Sequence, residues 1–124
     1  MIAQFWIVTG AVLGFFGVAF GAFGAHALRD RLEPQMLAVF QTGVQYHFIH
    51  ALALILFGLW MRQSPHASPI AGWAFLIGVI VFSGSLYLLA VTGVKWLGAI
   101  TPIGGIAFMV GWCLFALAAY KNGG

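Results

Sequence analysis

Four long apolar runs, divided by three short polar breaks, set the pattern of this chain. The runs cover about residues 2–28, 34–61, 70–91 and 98–120, and several reach the ~18 apolar residues that argue for a membrane-spanning helix. The fourth begins near Gly98 or Thr101. The breaks are Arg29–Gln35, the serine- and proline-marked RQSPHASP over Arg62–Pro69, and Thr92–Trp96. The pattern predicts an all-α fold: one integral membrane domain over residues 1–124, a four-transmembrane-helix bundle running up-down-up-down with short loops.

Inside the first run, Gly10, Gly14, Gly17, Gly21 and Gly24 are spaced four, three, four, three. At about 100° per residue they share an arc of roughly 80°, with Phe15, Phe16 and Phe23 turned away. Such a stripe lets another helix backbone approach closely. The partner is a helix of the same chain or of another copy. Helix two opens at Pro34, a residue suited to a first helical position, after Glu33 or an Asp30–Glu33 capping box. Its first turns, PQMLAVFQTGVQY, are too mixed to lie wholly in hydrocarbon and are expected at headgroup depth or against protein. Lys95 and Trp96 suit the membrane interface. Pro102, near the start of helix four, need not kink it.

Composition sharpens this. Charged residues make up 6% of the chain and hydrophobic ones 63%, with mean hydropathy +1.05, against about 25% charged in a soluble domain. The formal charge of +3 is scattered over five Lys and Arg, which excludes a nucleic-acid patch. Cys113, the sole cysteine, lies in the last apolar run and is expected to pack as a small hydrophobe. Ala25-His26-Ala27 looks like a signal-peptidase site, but the preceding run is too long and has no leading Lys or Arg, so a retained first helix is expected. Arg29, Arg31 and Lys95 on one side outnumber Arg62 and Lys121 on the other, a slight lean toward a cytoplasmic 29–33 turn.

Polar chemistry concentrates between Gly24 and His50: both acids, Asp30 and Glu33, and three of the four histidines. His47 and His50 share a helix face with Gly43, Ala51, Leu54 and Gly58, the face on which other helices should pack. Polar groups at membrane depth turn inward to find partners. Two readings follow. The imidazoles are interhelical hydrogen-bonding groups, reaching Ser83, Ser85, Thr101 or a backbone carbonyl; or, with His26, they hold a metal or haem or relay protons. His26, Asp30 and Glu33 stand at i, i+4 and i+7, but a continuous first helix puts His26 opposite the glycines. A solvated turn with Arg29–Asp30–Arg31 pairing is the simpler reading. Gln41 and Gln45 lie on another face, where they sit at headgroup depth, touch lipid headgroups or line a polar entry. His66 reads as solvated. Ser83-Gly84-Ser85 has no acid nearby to orient a base, and no triad, nucleotide fingerprint or zinc-finger spacing occurs, so no enzyme, metal or cofactor is expected.

The segments GAFGAHAL (Gly21–Leu28), FQTGVQYHFIHALAL (Phe40–Leu54), FSGSLYLL (Phe82–Leu89) and ITPIGGIAFMVGW (Ile100–Trp112) resemble the domain-of-unknown-function 423 family, which includes transmembrane-protein-256-like small membrane proteins. The resemblance spans essentially the whole chain. It implies a small four-helix protein of the bacterial inner (cytoplasmic) membrane, with mitochondrial relatives, and carries over no reaction. Its motifs fall on His26, Gln45, Tyr46, His50, Ser83, Ser85, Tyr87, Thr101 and Pro102; all of these but Pro102, together with His47, form the candidate polar interior. The leading expectation is a non-enzymatic binding or accessory subunit holding a lipid, a quinone-like molecule or a partner helix. It would work as a homo-oligomer or beside a membrane-protein partner. The alternatives are an electron- or proton-transfer protein using the histidines, and an oligomeric channel or small transporter.

Overall fold

The computed structural model describes residues 2–122. Four helices are long and apolar enough to cross a membrane: α1 (Ile2–Leu28), α2 (Pro34–Gln63), α3 (Ile70–Thr92) and α4 (Leu97–Asn122). They run up-down-up-down. Helices α2, α3 and α4 extend one or two residues past the ends that hydropathy suggests, because Gln63, Thr92, Lys121 and Asn122 continue the helical turn into the interface. Glu33 is the N-cap of α2 with extended backbone (ψ 151°) and Pro34 follows at the first position, but no side chain caps the helix, so the Asp30–Glu33 box does not form. Gly93 ends α3 at φ 72°, its N–H donating to the Leu89 carbonyl, the left-handed stop that glycine adopts without a Cβ clash. Pro102 falls in the second turn of α4, which starts at Leu97 rather than at Gly98 or Thr101.

Helices α2 and α3 form the inside of the bundle. In its most apolar window α2 is 50% buried and α3 39%, against 11% for α1 and 17% for α4. Helix α1 lies along α2, and α4 lies along α3. The glycines of α1 explain the first pairing. A Cβ on Gly10 would stand 2.7 Å from the Ala51 carbonyl oxygen, and one on Gly58 2.8 Å from the Ala3 carbonyl, so these backbones touch. Further along, the rings of Phe48 and Phe40 and the methyl of Val44 fill the space over Gly17, Gly24 and Gly21. The partner of the stripe is therefore a helix of the same chain. Gly14 differs: nothing lies within 4 Å of its Cβ position, although Gly10 and Gly17 on either side of it are covered. On the other flank, a Cβ on Gly104 would lie 2.7 Å from the Phe82 Cα, and one on Gly111 2.7 Å from the Phe75 ring.

One end of the bundle, around the 64–69 loop, is dry. Trp6, Leu54, Phe57, Met61, Ala71 and Phe75 are almost fully buried there, and Trp6 lies flat over Gly72. Among the described residues the Trp6 Nε1–H has no acceptor. Two stretches widen to π-helix, Ala19–Gly24 in α1 and Val79–Ser83 in α3. Such widened turns mark functional or locally adjusted segments. Both sit beside the middle of α2, where the polar side chains gather.

Candidate functional site

Helix α2 supplies the centre of the site. Gly43 and His47 share a face one turn apart, and the missing side chain at Gly43 lets the Tyr87 ring of α3 lie against the helix, 2.9 Å from the Cβ position. The Tyr87 hydroxyl then meets His47 Nδ1 at 2.8 Å. On the other side, close approach of α1 brings the Leu13 carbonyl 2.7 Å from His47 Nε2. A carbonyl only accepts, so Nε2 carries the proton and donates; Nδ1 accepts from the tyrosine O–H. Phe20, in the π segment of α1, packs its ring edge-on against both Tyr87 (5.1 Å) and His47 (6.2 Å). His47, 3% exposed, thus joins three helices.

His50 has a different environment. Its ring stacks on Phe108 of α4, centroids 3.6 Å apart and 7° from parallel. The Trp112 indole N–H donates to His50 Nε2 at 3.0 Å, which leaves Nδ1 as the protonated nitrogen, 2.8 Å from the Tyr46 carbonyl oxygen and donating to it. Each imidazole is a neutral tautomer with both nitrogens engaged by protein. Neither presents a free lone pair toward the other, and among the described residues no group of three His, Cys, Asp or Glu side chains is placed to hold a metal ion. Serines complete the midsection. Ser83 donates to the Gly43 carbonyl at 2.7 Å, and Ser85 pairs with Thr101 at 2.6 Å while donating to the Phe82 carbonyl.

The structure therefore gathers His47, His50, Ser83, Ser85, Tyr87 and Thr101 inside, in separate pairs rather than one cluster. The histidines reach a carbonyl as one alternative anticipated; the serines bond elsewhere. His26 is exposed near the end of α1, because that helix runs on unbroken to Leu28 and carries it to the outer face. Gln45 and Tyr46 are exposed too, on the far and flanking faces of α2 from the buried His47. Cys113 is exposed toward lipid rather than packed in the core. His66 and Gln41 are exposed, as are Arg29 and Asp30 in the turn. Trp112 and Phe108 were not candidates from residue chemistry, though both lie one turn apart in helix four. Their signal was an i, i+4 aromatic pair beside Gly104 and Gly111.

Beside His50 a lateral groove of about 420 Å³ opens between α4 and the α2–α3 pair. Its walls are mainly aromatic: Tyr46, Phe82, Phe108 and Trp112, with Pro102, Gly105, Ile106 and Met109 along the open side. Tyr46 packs on Phe82 at 4.7 Å. Phe82 is midway along α3, so at 1.5 Å per residue the groove lies about 15 Å from the nearer helix end. That is the middle of a ~30 Å hydrocarbon layer.

Comparison with known proteins decides the family. Residues 20–105 match the family described as "Protein of unknown function (DUF423)". The chain belongs to this family. It is 42% identical over 118 residues to the UPF0382 membrane protein YwdK of Bacillus subtilis (strain 168), covering 94% of this chain and 96% of that one. A UPF0382 membrane protein of Staphylococcus epidermidis (strain ATCC 12228 / FDA PCI 1200) is 40% identical, covering 96% and 98% of the two chains. SAB0533, a UPF0382 membrane protein of Staphylococcus aureus (strain bovine RF122 / ET3-1), is 39% identical, covering 98% and 99%. No solved structure matches. The protein is a small multi-pass integral membrane protein, and its bacterial relatives fit the inner (cytoplasmic) membrane.

Proposed function

We propose that this chain is a non-enzymatic binding subunit whose lateral groove seats the ring of a quinone-like molecule dissolved in the membrane. The observation that carries the reading is the groove itself. Its volume falls in the ~300–1,000 Å³ range of small-molecule sites, and its walls are flat aromatic rings. Its depth favours a molecule of the bilayer middle over a phospholipid headgroup, which stays at the interface. The Tyr46 hydroxyl, on the groove wall and without a protein hydrogen-bond partner among the described residues, supplies one donor for a ring carbonyl. The non-enzymatic part rests on the chain's chemistry. Both carboxylic side chains are confined to the 30–33 turn, far from the buried imidazoles, and each imidazole already has two protein partners. Histidine here acts as an interhelical fastener, which removes the main support for a metal or haem reading.

Tryptophan quenching tests the proposal. Two variants in lipid nanodiscs keep the core Trp6 and one lipid-facing tryptophan: Trp112 on the groove, or Trp73, which is similarly exposed (45% against 43%) but off the groove. The remaining tryptophans become phenylalanine. A short-chain quinone should quench the Trp112 variant saturably, with an apparent affinity that Tyr46→Phe lowers about fivefold, the worth of one hydrogen bond. Linear quenching equal in both variants would mean partition into lipid only and would overturn the reading.

A further inference from the structure

Helix α2 carries a second organised face, opposite the buried histidines. Thr42, Gln45, Ile49, Leu52, Leu56 and Leu59 recur at intervals of three and four residues, and all are exposed. That heptad spacing keeps one seam facing one partner helix along the whole span. Leu52 is 61% exposed and Leu56 59%, while no charged residue interrupts the seam. Lipid alone would satisfy the leucines. It cannot satisfy Gln45. This carboxamide follows the same depth as Tyr46 and Phe82, about 15 Å from the nearer end of α3. Among the described residues it makes no hydrogen bond; the neighbouring Thr42 hydroxyl turns back to the Ala38 carbonyl and His47 faces the other way. A polar side chain at that depth is costly facing hydrocarbon and normally marks a contact.

The chain's own helices cannot provide the partner. Helix α1 meets α2 through Gly10, Gly17 and Gly21 on one side, and α3 meets it through Gly43 on another. A primary amide has a donor and an acceptor in one plane, so two glutamines facing across a twofold axis satisfy each other reciprocally. A polar residue within an apolar heptad seam is also the known device for fixing register and strand number. We propose that the protein pairs with a second copy of itself through this α2 seam, with Gln45 hydrogen-bonded to its counterpart on the axis. The glycine stripe of α1 is not the interface, since it is occupied within the chain.

Cysteine scanning in membranes tests this. In a Cys113→Ser background, single cysteines replace Gln45, Ile49, Leu52 or Leu56, with Val12 on α1 and Ile106 on α4 as comparably lipid-facing references (49% and 61% exposed). Oxidation should link copies at the four α2 positions and leave the two references largely monomeric. Links concentrated on α1 or α4, links spread evenly over all three helices, links only to a different protein, or no links at all would each overturn the proposal. A second measurement isolates the glutamine. Energy transfer between labelled copies in phosphatidylethanolamine–phosphatidylglycerol vesicles should show Gln45→Leu weakening dimerisation about threefold to tenfold, with Gln45→Asn losing less. Unchanged or tighter dimerisation in Gln45→Leu would overturn the pairing on the axis.

Discussion

The dry end of the bundle and its hydrogen-bonded midsection hold the same helices together by different means. Around Trp6, Phe57, Met61 and Phe75 the buried side chains are hydrocarbon and ring, and among the described residues even the Trp6 indole N–H has no acceptor. Eight or so residues deeper, His47, His50, Ser83 and Ser85 are as well buried, yet every one is hydrogen-bonded. In a bilayer the lipid tails are as apolar as leucine, so burying apolar surface gives little net gain. The dry end must rely on shape, a large ring against a bare glycine, where close contact gathers dispersion. The midsection relies on partners that no acyl chain can offer, and it sets which faces meet.

That contrast can be broken in order of expected size. Trp6→Ala should destabilise the fold most, by about 3–5 kcal/mol in a detergent-unfolding titration, through lost contacts and the cavity left over Gly72. Trp6→Phe should cost clearly less, since it also removes the orphaned N–H. Next, Gly72→Val forces a branched side chain into the Trp6 ring, which a Cβ alone would already meet at 2.5 Å, and should cost about 1–3 kcal/mol. His47→Phe should cost only about 0.6–1.7 kcal/mol, from the average to the maximum measured for interhelical hydrogen bonds in lipid, with a coupling to Tyr87→Phe visible in a double-mutant cycle. A larger loss for His47→Phe than for Trp6→Ala would reverse the assignment of the two regions. Smallest of all, Gly14→Ala should stay within about 0.5 kcal/mol, because open space surrounds that position.

Helix number, span limits and the glycine contact were legible in the sequence because each depends on local signals: run length, breaks and three-four spacing. The distinction between lipid-facing and protein-facing sides was not. Hydropathy is the same on both sides of a membrane helix, so Cys113 gave no sign that it points outward, and Gln45, though on another face from the histidines, read equally as part of the interior. His47 and His50 were readable as inward through the small residues sharing their face. Their partners were not, since Leu13, Tyr87 and Trp112 lie 34, 40 and 62 positions away and are chosen by helix crossing. Gly14 shares the arc of Gly10 and Gly17 yet stands in open space, because a helix wheel does not say which neighbouring side chain reaches each position.

The widened turn at Ala19–Gly24 has a consequence for how the chain tolerates change in length. A π turn holds what amounts to one surplus residue, so trimming a single amino acid there would restore ordinary winding instead of tearing the helix. The half up to Gly17 and the tail toward Leu28 would both keep their seats, and the adjustment would fall on the side chains inside the widened turn. Phe20 would then leave the histidine–tyrosine pair uncovered, making that short stretch the spot where a one-residue deletion changes the chemistry of the interior without dissolving the scaffold.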